Sequence, residues 1–455
     1  NLGWVEHDPE VIWKTTLKVL KLALKEADAK NLKVTAIGIT NQRETTVIWD
    51  RQTGKAIYNA IVWQDRRTHT LCEQLKKDGH GSRIMDSTGL LIDPYFSATK
   101  IAWILDNVTG ARHKAENGRL AFGTIDSFLL WRLTKGKVHS TDATNASRTS
   151  IFNIKHMHWD LELLEIFKVP ESVLPKVHDS SFHFGETEKD IVGQKIPILA
   201  ILGDQQSAAV GQSCFDLGSL KSTYGTGGFL ILNTGEKIVR SQSNLISTVL
   251  LQISGKPIYA LEGSIFIAGA AVQWVRDQLG LIKKAEDSES HACKLDGNGG
   301  VYLVPAFTGL GAPHWDPNAR GSLSGITRDT GASHVIRASL ESVAYQTSDI
   351  VNCMIRDEVT PSIVKVDGGM SNNAWLMQFL SNILGIPVDV PVVKETTAMG
   401  VAMMAALYNG EFSNIHDIGK ARMTEQHFSP IMGDKNRSDL IKGWERAVSS
   451  TLTNT

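Results

Sequence analysis

Apolar residues along this chain gather in short runs, alternating with stretches in which they recur every third or fourth position. The runs predict strands and the recurrent stretches amphipathic helices, since side chains alternate across a strand but share one helix face at i, i+3 and i+4. In the first half, strands are expected at Lys33–Thr40, Thr46–Trp49, Ala60–Trp63, Leu120–Gly123 and Ile196–Leu202. Helices are expected at Thr68–Lys77, Thr99–Asp106, Ser127–Leu133 and Leu161–Phe167. A further helix opens at His7-Asp8-Pro9, with Asp8 as N-cap and Pro9 at the first helical position, where its missing N–H is harmless.

The second half repeats the pattern. Leu220–Tyr224 and Phe229–Asn233 read as a hairpin around a Gly-rich turn, followed by strand Ile258–Leu261 and helix Ile265–Leu279. Strand Val301–Val304, a long helix Ser333–Arg356, strand Ile363–Val366, helix Asn373–Leu384, strand Val388–Val390 and helix Thr397–Tyr408 complete it, the last stopped by Gly410. Such alternation predicts an α/β protein. At 455 residues more than one domain is expected, with a boundary near Gln212–Gly218 that divides the chain into 1–212 and 213–455.

Composition narrows the class. A net charge of −1 gives no electrostatic case for nucleic acid or an anionic membrane as partner. Four dispersed cysteines without C-x-x-C spacing fit a reducing compartment, and no signal peptide pattern opens the sequence, so a cytoplasmic location is expected. The most apolar window, Ile258 to Val275, is interrupted by Glu262, Ser264 and Gln273; it reads as a buried helix and not a membrane span.

The chemistry sits at the ends of strands. The run Ile196–Leu202 leads into Gly203-Asp204-Gln205-Gln206, a carboxylate at the mouth of a buried strand able to take a proton from a hydroxyl. Thr223-Tyr224-Gly225-Thr226-Gly227-Gly228-Phe229 is a turn whose glycines let backbone N–H groups approach phosphate. No G-x-x-x-x-G-K-[ST] loop and no H-R-D or D-F-G set occurs, so phosphate binding falls to this turn and to Val366-Asp367-Gly368-Gly369. Taken singly, either turn is more simply a tight connection.

Arg43 and Glu44 stand side by side between two apolar strands. They are either a solvated hairpin tip or a donor–acceptor pair for vicinal hydroxyls. Trp63 is either core or a face for the C–H edge of a polyol, and Tyr95, in the turn Asp93–Ser97, either a surface aromatic or a hydroxyl donor. The loop Pro305–Pro317 is rich in Gly, Pro and aromatics; its His314 has no acid partner nearby in sequence and is given a structural role.

In this order, the stretches Ile37–Thr46, Trp63–Arg67, Asp93–Lys100, Gly203–Gln206, Tyr224–Gly227, Pro305–Pro317, Gly321–Glu341 and Val366–Gly369 closely resemble the glycerol-phosphorylating members of the FGGY carbohydrate-kinase family. The resemblance implies two ribonuclease-H-like (actin-like ATPase) domains, with ATP and glycerol meeting in the cleft between them, Mg²⁺ as the accompanying cation and a homo-oligomeric assembly. It implies Asp204 as catalytic base and metal-side carboxylate, and Arg43, Glu44, Tyr95, Asp204 and Gln205 as polar contacts of glycerol. It places Trp63 and Phe229 under the carbon chain, and Thr226, Gly269, Gln273, Gly369 and Asn373 on the nucleotide.

Members of the family open with a strand–turn–strand carrying an Asp-x-Gly-Thr-Thr-Ser phosphate loop, and no Asp-x-Gly-Thr occurs here. The chain begins at Asn1 and enters a helix within a few residues, so an upstream segment is expected to be absent and an edge of the first sheet unpaired. Thr187–Gln194 lacks the Gly-rich, basic character of the loop that binds fructose bisphosphate in some relatives, and that regulation is not expected. The alternatives are a kinase of another small polyol or ketose, and a loop-deficient, non-catalytic binding protein.

Overall fold

The computed structural model describes residues 3–453. Two sheets organise them. In the first half, Pro197–Gly203 lies between Ser181–Glu186, which is antiparallel to it, and Ile37–Asn41, which is parallel. Ile37–Asn41 and Ser181–Glu186 are the two edge strands of that sheet among the described residues. The second half carries seven strands in the order Ile246–Ile253, Lys256–Ile265, Gly228–Gly235, Ser219–Tyr224, Ile363–Asp367, Val388–Pro391 and Thr424–Phe428. The hairpin pairs Leu220 with Leu232 and Tyr224 with Gly228, which holds the Gly-rich turn at its tip.

Helices cover these sheets as the periodicity predicts. Asp8 caps Pro9–Ala29 by accepting from the Glu10 N–H at 2.8 Å. The long helix Ala332–Arg356 buries Ile336, Leu340, Val343 and Val351 in the core of the second half. A separate apolar cluster joins the halves: Leu199 and Leu202 from one, Ile231 and Leu251 from the other, and Val401 and Met404 from helix Thr396–Tyr408. That helix crosses Asp204–Gly211 so closely that a Cβ at Gly400 would strike the Ser207 carbonyl, and one at Gly211 the Thr396 carbonyl. No described helix is long and apolar enough to cross a membrane.

Three readings need correction. The window Ile258 to Val275 is not one buried helix: Lys256–Ile265 is a ten-residue strand, and the helix is Gly269–Asp277. A continuous apolar run satisfies both periods, and here sheet pairing on both sides decides it for strand. Strand Ile246–Ile253 was not anticipated, because its Val249-Leu250-Leu251 core hides the alternation. Ala60–Trp63 shrinks to Ala60–Ile61, and Trp63 falls in the turn beyond.

Candidate functional site

Asp204 begins a helix directly at the end of strand Pro197–Gly203. The positive end of that helix favours a carboxylate there. Its side chain is 34% exposed; Oδ1 accepts the Gln205 N–H at 2.7 Å and lies 3.2 Å from Arg43 Nε. Burial pushes the Asp204 pKa above the usual carboxylate value, and Arg43 pulls back only part of that shift.

Arg43 and Glu44 are 2% and 1% exposed, so they are no solvated hairpin tip. Glu44 sits in the left-handed region at φ 59°, which a non-glycine residue adopts at a cost. Arg43 donates to both oxygens of Glu262, at 2.6 and 2.9 Å, and to Gln206 Oε1 at 3.2 Å. Arg148 binds Glu44 Oε1 at 2.6 Å and Glu262 Oε1 at 3.0 Å. The result is a buried cluster of two arginines and two glutamates, with Glu262 reaching in from the second half. Burial opposes each charge, but Arg148 and Arg43 outweigh it at Glu262, whose pKa falls to about 2. At Glu44 burial prevails over the same arginines and the pKa is raised.

Above this floor stand three aromatic rings. Trp63 lies edge-on to Tyr95 at 5.6 Å and to Phe229, from the opposite half, at 6.2 Å. Tyr95 is held by an Asx turn, its N–H on Asp93 Oδ1 at 2.8 Å, and by the buried Lys100, which donates to the carbonyls of Tyr95 and Phe96. Acceptor, donor and apolar rings are thus brought close together from both halves.

The residues expected at the nucleotide lie where the Gly-rich turn touches two other segments. The Gly269 N–H donates to the Gly225 carbonyl at 2.9 Å, and those of Ala268 and Ala270 to Thr226 at 2.9 and 3.1 Å. Gly368, at φ 86°, packs so tightly on Tyr224 that a Cβ there would strike the Tyr224 carbonyl. Thr226 is exposed at the crest of the turn, and Gln273 is exposed one helical turn after Gly269. Gly369 opens a short 3₁₀ turn, and Asn373 caps the next helix through Oδ1 on the Leu376 N–H at 2.8 Å, which leaves its NH₂ group uncommitted to that cap. No group of three or more His, Cys, Asp or Glu side chains suited to a metal occurs among the described residues.

Sequence reasoning missed Glu262, Arg148, Gln206 and Lys221. Their signal was a lone charged or polar residue inside an otherwise buried element, as with Glu262 between Leu261 and Gly263. His314 proves to have an acid neighbour: its Nε2 is 3.7 Å from Asp349, which also accepts from Trp444 Nε1 at 2.8 Å. A cavity of about 1150 Å³ lies elsewhere, walled by Trp13, Arg51, Trp131 and Arg132, and contains none of the predicted site residues.

Residues 1–211 match the N-terminal domain, and residues 220–408 the C-terminal domain, of the FGGY family of carbohydrate kinases. The chain is 55% identical over 449 residues to a glycerol kinase of Rhodospirillum centenum, covering 99% of this chain and 90% of that one. Glycerol kinase 1 of Pseudomonas aeruginosa is 54% identical over 446 residues, again with 90% of the relative covered. Among solved structures, a Plasmodium falciparum glycerol kinase with ADP superposes with a TM-score of 0.95 at 38% identity, over 100% of this chain and 92% of that one. A xylulose kinase from Lactobacillus acidophilus, at TM-score 0.88 and 22% identity over 99% and 90% of the two chains, shares the fold.

Proposed function

The chain belongs to the FGGY family of carbohydrate kinases, and we propose on that footing that it transfers the γ-phosphoryl group of ATP to a terminal hydroxyl of glycerol. The observation that carries the residue assignments is the convergence of Asp204, Arg43 and Glu44 with the Trp63–Tyr95–Phe229 rings, next to the Gly225–Gly227 turn. Asp204 accepts the proton of the attacking hydroxyl as its oxygen bonds the γ-phosphorus and the bond to ADP breaks. Arg43 and Glu44 hold hydroxyls on the buried side, Tyr95 and Gln205 complete the polar set, and the rings cover the carbon edge.

On the donor side, Thr226, Gly269, Gln273, Gly369 and Asn373 line the approach of ATP. A lone carboxylate suits Mg²⁺, which takes one or two protein carboxylates and completes its shell with phosphate and water. Asp204 would hold it, and the ion supplies charge neutralisation on the transferred group. A cytoplasmic, homo-oligomeric protein is the accompanying expectation.

The test is a coupled assay with ATP, Mg²⁺ and glycerol. It is run on the 455 residues and, beside them, on the chain extended at its N-terminus by an Asp-x-Gly-Thr-Thr-Ser strand–turn–strand. Glycerol 3-phosphate from either supports the reading, and its absence from both overturns it. Phe229→Ala tests the apolar wall: loss of one ring face is expected to raise KM for glycerol roughly 2- to 10-fold with little change in kcat. An unchanged KM would remove Phe229 from the site.

A further inference from the structure

Lys221 lies on strand Ser219–Tyr224 with its side chain fully buried. Its Nζ donates to Gln205 Oε1 at 2.5 Å, and no carboxylate forms an ion pair with it among the described residues. An ammonium buried against a neutral amide is costly, because a neutral acceptor repays only part of its lost hydration. Burial lowers the Lys221 pKa, and the fields of Asp367 and Asp204 offset part of the loss.

We infer that Lys221 is a positioning residue that fixes which end of the Gln205 amide faces glycerol. An ammonium can only donate, so it selects the orientation in which Gln205 turns Oε1 inward to Lys221 and its NH₂ group outward to the cleft. The reverse orientation would set two donors against each other. Gln205 Nε2 has no partner among the described residues, and the neighbouring Asp204 carboxylate accepts the Gln205 backbone N–H. Lys221 thereby gives the polyol an ordered donor beside the base. This rests on the reading that Gln205 contacts glycerol.

The test compares Lys221→Met and Lys221→Gln with the unaltered protein, using glycerol, propane-1,2-diol and propane-1,3-diol as ligands in calorimetry and as substrates. Lys221→Met is expected to weaken glycerol roughly 2- to 10-fold, the worth of the one neutral hydrogen bond from Gln205 that is no longer ordered. KM for ATP stays within about twofold. The loss disappears for the diol that lacks the hydroxyl Gln205 meets, a coupling that general loosening of the site would not produce. Lys221→Gln, which can present either end of its own amide, shows the same hydroxyl-selective pattern at smaller amplitude and carries the comparison if Lys221→Met does not fold. An equal loss on all three ligands, or no loss on any, overturns the assignment. Failure of the unaltered protein to phosphorylate glycerol would instead sink the reading beneath it.

Discussion

Asp204→Asn is expected to lower kcat on glycerol by about 10²–10⁴-fold, the usual worth of a positioned general base, while glycerol binding stays within a few-fold. The substitution is nearly isosteric. An amide oxygen can still accept the Gln205 N–H that Asp204 Oδ1 accepts now, so the start of the helix keeps its geometry. What disappears is the ability to take a proton, together with the negative charge that would hold Mg²⁺, a loss that titration of the Mg²⁺ dependence reads separately. Burial raises the Asp204 pKa, which makes the ionised carboxylate a stronger proton acceptor than an exposed one, and Arg43 at 3.2 Å keeps it aimed. Loss of Arg43's partner alone would raise KM, whereas loss of a base lowers kcat; the two constants separate the roles. Steady-state kinetics together with calorimetric glycerol binding decide the matter. A kcat within threefold of the unaltered protein would remove Asp204 from the base position.

How far the site was legible depended on where its residues lie in the chain. Asp204 and the Gly225–Gly227 turn could be read because each breaks a period at the end of an apolar run, where a sheet presents its loops. The pair Arg43-Glu44 was visible for the same reason, although only burial separates a substrate clamp from a solvated tip. Glu262 and Lys221 sit inside strands, and their partners are distant: Arg43 is 219 positions from Glu262, and Gln205 is 16 from Lys221. No local pattern encodes such a pairing, because it exists only once the halves have docked. The same limit explains the Ile258–Val275 error. An apolar run specifies burial, and only its neighbours in the sheet determine whether that burial is met by strand or helix.

Removing the Glu262 carboxylate by substitution with Ala is expected to cost about 3–5 kcal/mol of stability, because it strands buried charge rather than merely deleting an ion pair. Among the described residues Glu262 alone reaches from the second half to both Arg43 and Arg148, and all three side chains are almost fully buried. Without it, two guanidiniums face each other with Glu44 as their remaining buried carboxylate partner, and Arg43 is free to draw closer to Asp204. Substrate affinity should therefore fall together with stability. The exposed pair Lys135–Asp190 is the control, and Asp190→Ala there should leave the unfolding midpoint unchanged. The pH dependence has a definite sign. The folded carboxyl titrates at about 2 against an ordinary 4.5, so its stabilising contribution is fully present above 4.5 and is lost as pH falls through that window toward about 2. Urea unfolding of both variants at pH 7 and at pH 3 checks this. A Glu262→Ala protein within 1 kcal/mol of the unaltered one at pH 7 would show that hydrophobic contacts such as Leu202, Ile231 and Val401 hold the two halves together without the charge cluster.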